Sequence, residues 1–408
     1  MQYVIIGNSA AGIAAVEGIR QTDKNGKIII ISDEPHHTYA RPLISYLLLQ
    51  KTTEEKMKYR ADDFYEKNHC QVLLGTKVTA IQPEKKSIRL SDGKEIAYDK
   101  LLLATGAIPF VLPVPGLDSV ENTFTFMSLD DARKLGKALH KKARVLILGG
   151  GLIGLKCAEG ILQRVGQVTV VDLAPGILSS ILDSDGAKIV QDHLEKQGMR
   201  FKLGQGIKSL DKNVATLDSG EQLEFDIFVM AVGVRPNIDL FKAIGPVGKG
   251  IPVNERMETS CPDIYAAGDC TESLDISSGQ RKMLALLPNA YMQGEGAGIN
   301  MAGGEAYFDK AMPMNAIGFF GLHVLTAGSY LGETYSLKDE YGYKKLFYEE
   351  NLNGYILIGP IEKAGIYTHL IRDKVPLATL DFDLIRQKPG LMAFTKEERS
   401  KKLGGVSR

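Results

Sequence analysis

No charge of one sign is in excess in this chain: lysine plus arginine and aspartate plus glutamate each count 49 among 408 residues. Such a balance offers no basic field for nucleic acid and no acidic excess for cationic partners. Long apolar runs are missing too. The richest stretch, NAIGFFGLHVLTAGSY at 315–330, is interrupted by glycine and carries His323, which falls short of the roughly 18 unbroken apolar residues of a membrane span. Cysteine is scarce. Cys70, Cys157, Cys261 and Cys270 include no CxxC or CxxxxC spacing, so a disulfide framework is excluded. The seven histidines show no metal-ligand spacing, and no metal site is expected. The opening MQYVIIG enters a strand-like run at once, leaving no room for a leader, so a soluble cytoplasmic protein is expected.

What the chain does have is an internal repeat. YVIIGNSAAG (3–12) and VLILGGGLIG (145–154) are each a short apolar strand, a glycine-rich turn and a helix start. Each is followed by a strand ending in acid, KIIIISDE (27–34) and QVTVVDLA (167–174). A later strand ends in a small-residue turn, YDKLLLATGAIP (98–109) and FDIFVMAVGVRP (225–236). Strands alternating with helices predict parallel, doubly wound sheets, here two dinucleotide-binding domains in one α/β chain. CPDIYAAGDC (261–270) has the same strand character without a glycine turn before it. It reads as the last strand of one of the two domains, which is then discontinuous. Beyond about Ala316 the pattern changes. GYKKLFYEENLNGYILIG (342–359) predicts a hairpin around Asn-Leu-Asn-Gly, and AGIYTHLIRDK (364–374) a helix, which together make a small α+β domain.

In a glycine turn of this kind the backbone approaches a pyrophosphate that sits at a helix N-terminus. Gly149, Gly151 and Gly154 satisfy GxGxxG, with Leu152 and Ile153 opening the helix; the first copy has Gly7, Ser9 and Gly12, with Ala10 and Ala11 between. Serine at the middle position is a departure, though a small one. A carboxylate at the end of the second strand accepts from a free ribose 2′-OH and repels a 2′-phosphate. In the second copy this is Asp172, with no Arg or Lys beside it, so NADH is favoured over NADPH; the plainer reading has Asp172 capping a turn. In the first copy Asp33 and Glu34 both qualify.

With these motifs in order, the chain resembles the FAD-dependent pyridine nucleotide-disulfide oxidoreductases. Within them it is similar to the branch of NADH:rubredoxin reductases, ferredoxin reductases and the flavin part of nitrite reductase. The marks are the first GxSAAG, DEPHHTYARPLIS (33–45), ATGAIP (104–109), GGGLIG (149–154), AVGVRPN (231–237) and DIYAAGDC (263–270). The resemblance implies that the first copy binds FAD. Gly7 to Gly12 hold its pyrophosphate, Asp33 or Glu34 its ribose, and Arg41 and Ser45 the pyrophosphate and flavin surroundings. Val78 meets adenine, Ala104, Thr105 and Gly106 lie over the cofactor, and Gly268-Asp269 supplies the ribitol-binding aspartate. Asn289, Ala290 and Tyr291 begin a helix whose positive end faces the flavin. The second copy then binds NAD(H) through its glycines, Asp172, Val232 and Gly233. Phe110 stands where an arginine is common. The implied layout is an FAD domain at 1–112 resumed at 238–314, an NAD domain at 113–237, an α+β domain at 315–388 and a polar tail at 389–408.

Members that reduce disulfides or peroxides keep two thiols, or one cysteine where this chain has Tyr46. Tyrosine forms neither a sulfenic acid nor a mixed disulfide. The resemblance therefore implies that NADH reduces the flavin and that electrons leave directly to a small iron protein such as rubredoxin or ferredoxin, or to an iron–sulfur partner subunit. An NADH oxidase or diaphorase using O2 or quinone, and a redox-sensing flavoprotein of the apoptosis-inducing-factor type, are the alternatives. Related proteins often place a lysine at position 46 and a glutamate at position 156, near flavin N5. Here the pair is Tyr46 and Lys156. Lys156 either supplies the positive charge near N5 or reaches solvent at the domain boundary. The tail from Lys388, with an excess of four positive charges, either docks an acidic carrier or is a solvated end.

Overall fold

Near-continuous apolar runs make strands that are buried on both faces. The first parallel sheet has the order Ile264–Ala266, Lys100–Leu103, Gln2–Ile6, Lys27–Ile31, Cys70–Leu73. The second has Arg200–Leu203, Gln167–Asp172, Arg144–Leu148, Ile227–Met230, Thr123–Phe124. Ile5, Ile28, Ile30 and Leu102 in one, and Ile147, Val170, Phe228 and Val229 in the other, are inaccessible to solvent. The chain is described over residues 1–396 and 399 in this computed structural model.

The repeat extends to individual hydrogen bonds. Gly7 N–H donates to Ile31 O and Gly149 N–H to Val171 O, both at 2.8 Å. Thr76 N–H donates to Ser32 O at 2.8 Å, and Gln205 N–H to Asp172 O at 3.2 Å. Each copy then adds a three-stranded antiparallel sheet, Val78–Gln82 with Ser87–Leu90 and Glu95–Ala97, and Ile207–Asp211 with Val214–Leu217 and Gln222–Glu224. The small-residue turns of the two copies meet: Ala107–Pro109 pairs antiparallel with Val234–Pro236.

CPDIYAAGDC enters the first sheet, as Ile264–Ala266 beside Lys100–Leu103. The helix after it, Leu287–Met301, lies against the Ala10–Thr22 helix backbone to backbone. A Cβ on Gly294 would stand 2.1 Å from Ala11 O, and one on Gly298 2.2 Å from Ala15 O. Only glycine permits that approach, so QGEGAG is glycine-rich for packing.

By contacts, the chain divides into two units. One comprises Met1–Ser180, Gln191–Leu274 and Arg281–Asp309, and so includes both glycine turns; the other comprises Ile181–Val190, Asp275–Gln280 and the chain from Lys310. The second unit carries a five-stranded antiparallel sheet ordered Met314–Phe319, Leu322–Gly328, Leu352–Ile358, Tyr343–Tyr348, Glu333–Lys338. Leu346 and Tyr355 from this sheet share a core with Tyr367 and Leu370 of the Ala364–Arg372 helix. The apolar run 315–330 is thus a hairpin, turned at Phe320 and Gly321, both at positive φ. The later hairpin departs from expectation. Its strand begins at Leu352, so the turn lies before Asn-Leu-Asn-Gly is complete. Gly354 is needed inside the strand, where a Cβ would stand 2.2 Å from Ser329 O. Among the described residues no helix is long and apolar enough to cross a membrane. Lys401, Lys402 and Arg408, on which the tail-docking expectation depends, lie outside the described residues.

Candidate active site

The two glycine turns are built alike. Gly7 and Gly149 take φ of +122° and +117°, and a Cβ there would lie 2.0 Å from Ala104 O and 2.3 Å from Ala231 O. A Cβ on Gly12 or Gly154 would strike the carbonyl of Gly7 or Gly149 at 2.1 and 2.0 Å. The middle position is different. A Cβ on Gly151 meets nothing within 4 Å; its φ of −81° suits any residue, as does the −105° of Ser9. The space over Gly151 is what a dinucleotide would fill. Neither Ser9 nor Gly151 gives its helix a side-chain cap, so the first-turn N–H groups of Ala10, Ala11 and Gly12, and of Leu152, Ile153 and Gly154, face a site suited to pyrophosphate oxygens. The residues present fit both dinucleotides.

The acids differ. Asp172 accepts from Gly150 N–H at 2.6 Å and from Ala174 N–H at 2.7 Å, one amide to each oxygen. It does hold its turn, and a lone pair remains on each oxygen for ribose. In the first copy Ser32 occupies the register of Asp172. Asp33 is exposed. Glu34 is half-buried, accepts from Tyr39 Oη at 2.7 Å and is paired with Arg41. Arg41 also lies 5.3 Å from the Tyr39 ring centroid and influences Asp269. Burial raises the Asp269 carboxyl above its ordinary range, against the pull of Arg41, an acid whose charged form calls for hydroxyl donors such as a ribitol offers.

Ser45 is buried and donates to Pro42 O at 3.3 Å. Thr105 Oγ1 donates to Asn237 O at 2.6 Å while Asn237 N–H donates to Gly106 O at 2.9 Å, so ATG in one copy and RPN in the other clasp each other. Val78 begins its strand with a buried side chain. Gly268 N–H donates to Gln293 Oε1 at 2.8 Å. The helix of Asn289, Ala290 and Tyr291 starts earlier, at Leu287, with Pro288 in its first turn. Asn289 and Ala290 are buried, and Tyr291 donates to Glu17 at 2.8 Å, a carboxylate that Arg60 also holds at 2.7 Å. Val232 is half-buried and Gly233 exposed at φ +108°. Phe110 lies under Arg235, whose guanidinium is 3.8 Å from the ring centroid.

Tyr46 and Lys156 are brought together. The Lys156 ammonium stands 4.7 Å from the Tyr46 ring centroid, in cation–π range. Lys156 is only 18% exposed and is paired with Glu159, which is 7% exposed. The helices that carry them touch closely: a Cβ on Gly160 would lie 2.9 Å from Ser45 O. Glu159 belongs to no motif, and its three-residue spacing from Lys156 is the sequence signal for this pair. Burial pushes the thiols of Cys157 and Cys270 well up, and that of Cys70 to about 11. Cys270 donates to the carbonyls of Leu103 and Ala267.

Two sheets of one register, each with an uncapped helix behind a glycine turn, define a double dinucleotide-binding protein. Residues 1–294 match the pyridine nucleotide-disulphide oxidoreductase family, to which the chain belongs. It is 36% identical over 321 residues to an NADH oxidase of Methanocaldococcus jannaschii, covering 76% of this chain and 71% of that one. It is 32% identical over 335 residues to the NADH-dependent phenylglyoxylate dehydrogenase subunit epsilon of Aromatoleum evansii, covering 80% and 79%. The solved NADH:rubredoxin oxidoreductase from Clostridium acetobutylicum is 26% identical with a TM-score of 0.75, over 91% of this chain and 95% of that one. The chain is an NADH-dependent flavoprotein oxidoreductase that uses FAD and NAD(H).

Proposed function

We propose that this flavoprotein passes electrons from NADH to a one-electron carrier, a rubredoxin, a ferredoxin or an iron–sulfur partner subunit, with no cysteine relay. The observation that carries this reading is the state of the sulfur. Cys157 and Cys270 are wholly buried with raised pKa values, and thiols held in the protonated form are poor nucleophiles. FAD, when bound, supplies the exchange between two-electron and one-electron transfer. The residues of the chain bind and orient. Gly7 to Gly12, Glu34, Arg41 and Asp269 are assigned to FAD, and Gly149 to Gly154, Asp172, Val232 and Gly233 to NAD(H). Residues 1–112 and 238–314 are accordingly assigned to the FAD domain and 113–237 to the NAD domain. Lys156, held between Glu159 and the Tyr46 ring, is assigned as the cation beside the flavin.

The test is NADH oxidation by the purified protein with rubredoxin, ferredoxin, quinone and O2 offered in turn. Turnover with an iron carrier should exceed that with O2 by at least about tenfold. Comparable or faster turnover with O2 would favour the oxidase reading, which the likeness to an NADH oxidase supports. Lys156→Met should slow reduction by NADH and shift the flavin potential. An unchanged rate and potential would remove Lys156 from the mechanism.

A further inference from the structure

The second glycine turn opens the Leu152–Ile161 helix at its N-terminus. A cleft of about 330 Å³ lies at the other end of that helix, roughly 15 Å along its ten residues. Three helix ends meet there. Leu49 and Gln50 follow the Ile44–Leu48 helix, Leu139 and Lys141 follow Leu129–Ala138, and Arg164 ends the short turn of helix behind Ile161. Helix C-termini leave carbonyl oxygens without partners, and cations take them here. Arg164 donates to Leu48 O at 3.3 Å and to Gly136 O at 3.0 Å, and Lys141 to Gln163 O at 2.8 Å. Those partners are neutral. None of the residues that line the cleft is acidic, and among the described residues no carboxylate is paired with Lys141 or Arg164. In a chain of zero net charge this is a local excess of positive charge. Donors remain as well: Arg164 uses two of five N–H groups and Lys141 one of three. Gln50 takes φ of +59°, a conformation in which glycine is the ordinary residue after a helix. Keeping a glutamine there strains the backbone and sets an amide side chain at the cleft.

We propose that this cleft binds a small organic dianion, a phosphate monoester or a dicarboxylate with a short apolar body. Lys141 and Arg164 set two positive charges against its two negative ones, and charge-assisted hydrogen bonds of this kind are the strong ones. Gln50 supplies a neutral donor. Leu49 and Leu139, both half-buried, give the hydrocarbon part a surface to cover. The occupant sits behind the helices that carry Tyr46 and Lys156, apart from both glycine turns.

The experiment is calorimetric titration of the FAD-loaded protein, saturated with NAD+ so that the dinucleotide sites are filled. Inorganic phosphate, phenyl phosphate and glutarate are offered in turn. Phenyl phosphate or glutarate should bind at one site per chain, at least about fivefold more tightly than inorganic phosphate, which has no apolar body. The tighter of the two tells a phosphate monoester from a dicarboxylate. Lys141→Glu, at an exposed position, should keep its Tm within about 2 °C and weaken both organic anions at least about tenfold. Leu139→Asn should remove the advantage over inorganic phosphate. If neither organic anion shows saturable binding below about 10 mM, the cleft is not such a site, and that measurement needs no variant to fold. Binding that Lys141→Glu leaves unchanged would overturn the assignment too, because the anion is then held elsewhere. So would equal affinities for inorganic phosphate and both organic anions.

Discussion

Residues 7–12 and 149–154 make one turn with different middles and different acids. Their outer glycines are fixed by packing, since a Cβ at any of the four would fall within 2.0–2.3 Å of a carbonyl oxygen. The middle residue is fixed by nothing in the protein itself. Ser9 and Gly151 share an extended conformation, and the space over Gly151 is open. The acids part company further. Asp172 is held by two backbone amides, whereas Glu34 is held by a phenol and a guanidinium. The carboxylate of Asp172 faces neutral amides, whereas that of Glu34 faces the Arg41 cation, which offsets its repulsion of a 2′-phosphate. Specificity for NADH is thus expected to be written in the second copy alone.

The largest expected effects break both turns. Gly12→Ala and Gly154→Ala should each cost about 3 kcal/mol or more, read as a fall in Tm. Gly12→Ala should also lose FAD, and Gly154→Ala should stay yellow but fail to be reduced by NADH. The opposite pattern would exchange the two assignments. Smaller and more selective is Gly151→Val. With no atom near its Cβ, it should leave Tm within about 2 °C, yet weaken NAD+ at least about tenfold by filling the pyrophosphate space. Ser9→Gly should change FAD retention little. Next comes Asp172→Asn, expected to weaken NADH about tenfold and to narrow the preference over NADPH. Equal discrimination in that variant would return Asp172 to the role of a turn cap.

Much of this was legible in the sequence because parallel strands and glycine turns are local signals. Apolar runs of four or five residues and positive-φ glycines give the two sheets, and CPDIYAAGDC could be placed in a sheet before its partner was known. What escaped depended on geometry across distant segments. Ser32, not Asp33 or Glu34, shares the register of Asp172, which only the strand pairing reveals. Glu159 became visible when its side chain was found against Lys156. The helix begun by Asn289, Ala290 and Tyr291 is legible, but the use of Gly294 and Gly298 is not: they allow Leu287–Met301 to lie on Ala10–Thr22. Asn-Leu-Asn-Gly misled for the same reason, since Gly354 serves a close strand contact.

The smallest effect sharpens the contrast at the sheet edges. Ile264–Ala266 and Thr123–Phe124 occupy the same place in their sheets, and in that register Asp269 corresponds to Ser128. Ser128 is committed to its own helix, accepting from Asp131 N–H at 3.1 Å in a capping box. Asp269 heads no such cap, and burial raises its carboxyl above the ordinary 3.8. Without FAD, the folded protein therefore binds this proton more tightly than the unfolded chain, and Asp269 disfavours folding progressively as pH rises above 3.8. Hydroxyl donors from bound FAD would stabilise the carboxylate and bring its pKa down. FAD binding then expels a proton, and affinity should fall as pH drops through the raised value, by at most about tenfold per pH unit for one proton. Flavin fluorescence after dilution at stepped pH measures the release. Asp269→Asn should retain FAD more weakly at neutral pH and lose this part of the acid dependence. An unchanged pH profile in that variant would mean that the flavin does not reach Asp269, and the asymmetry between the two edges would need another cause.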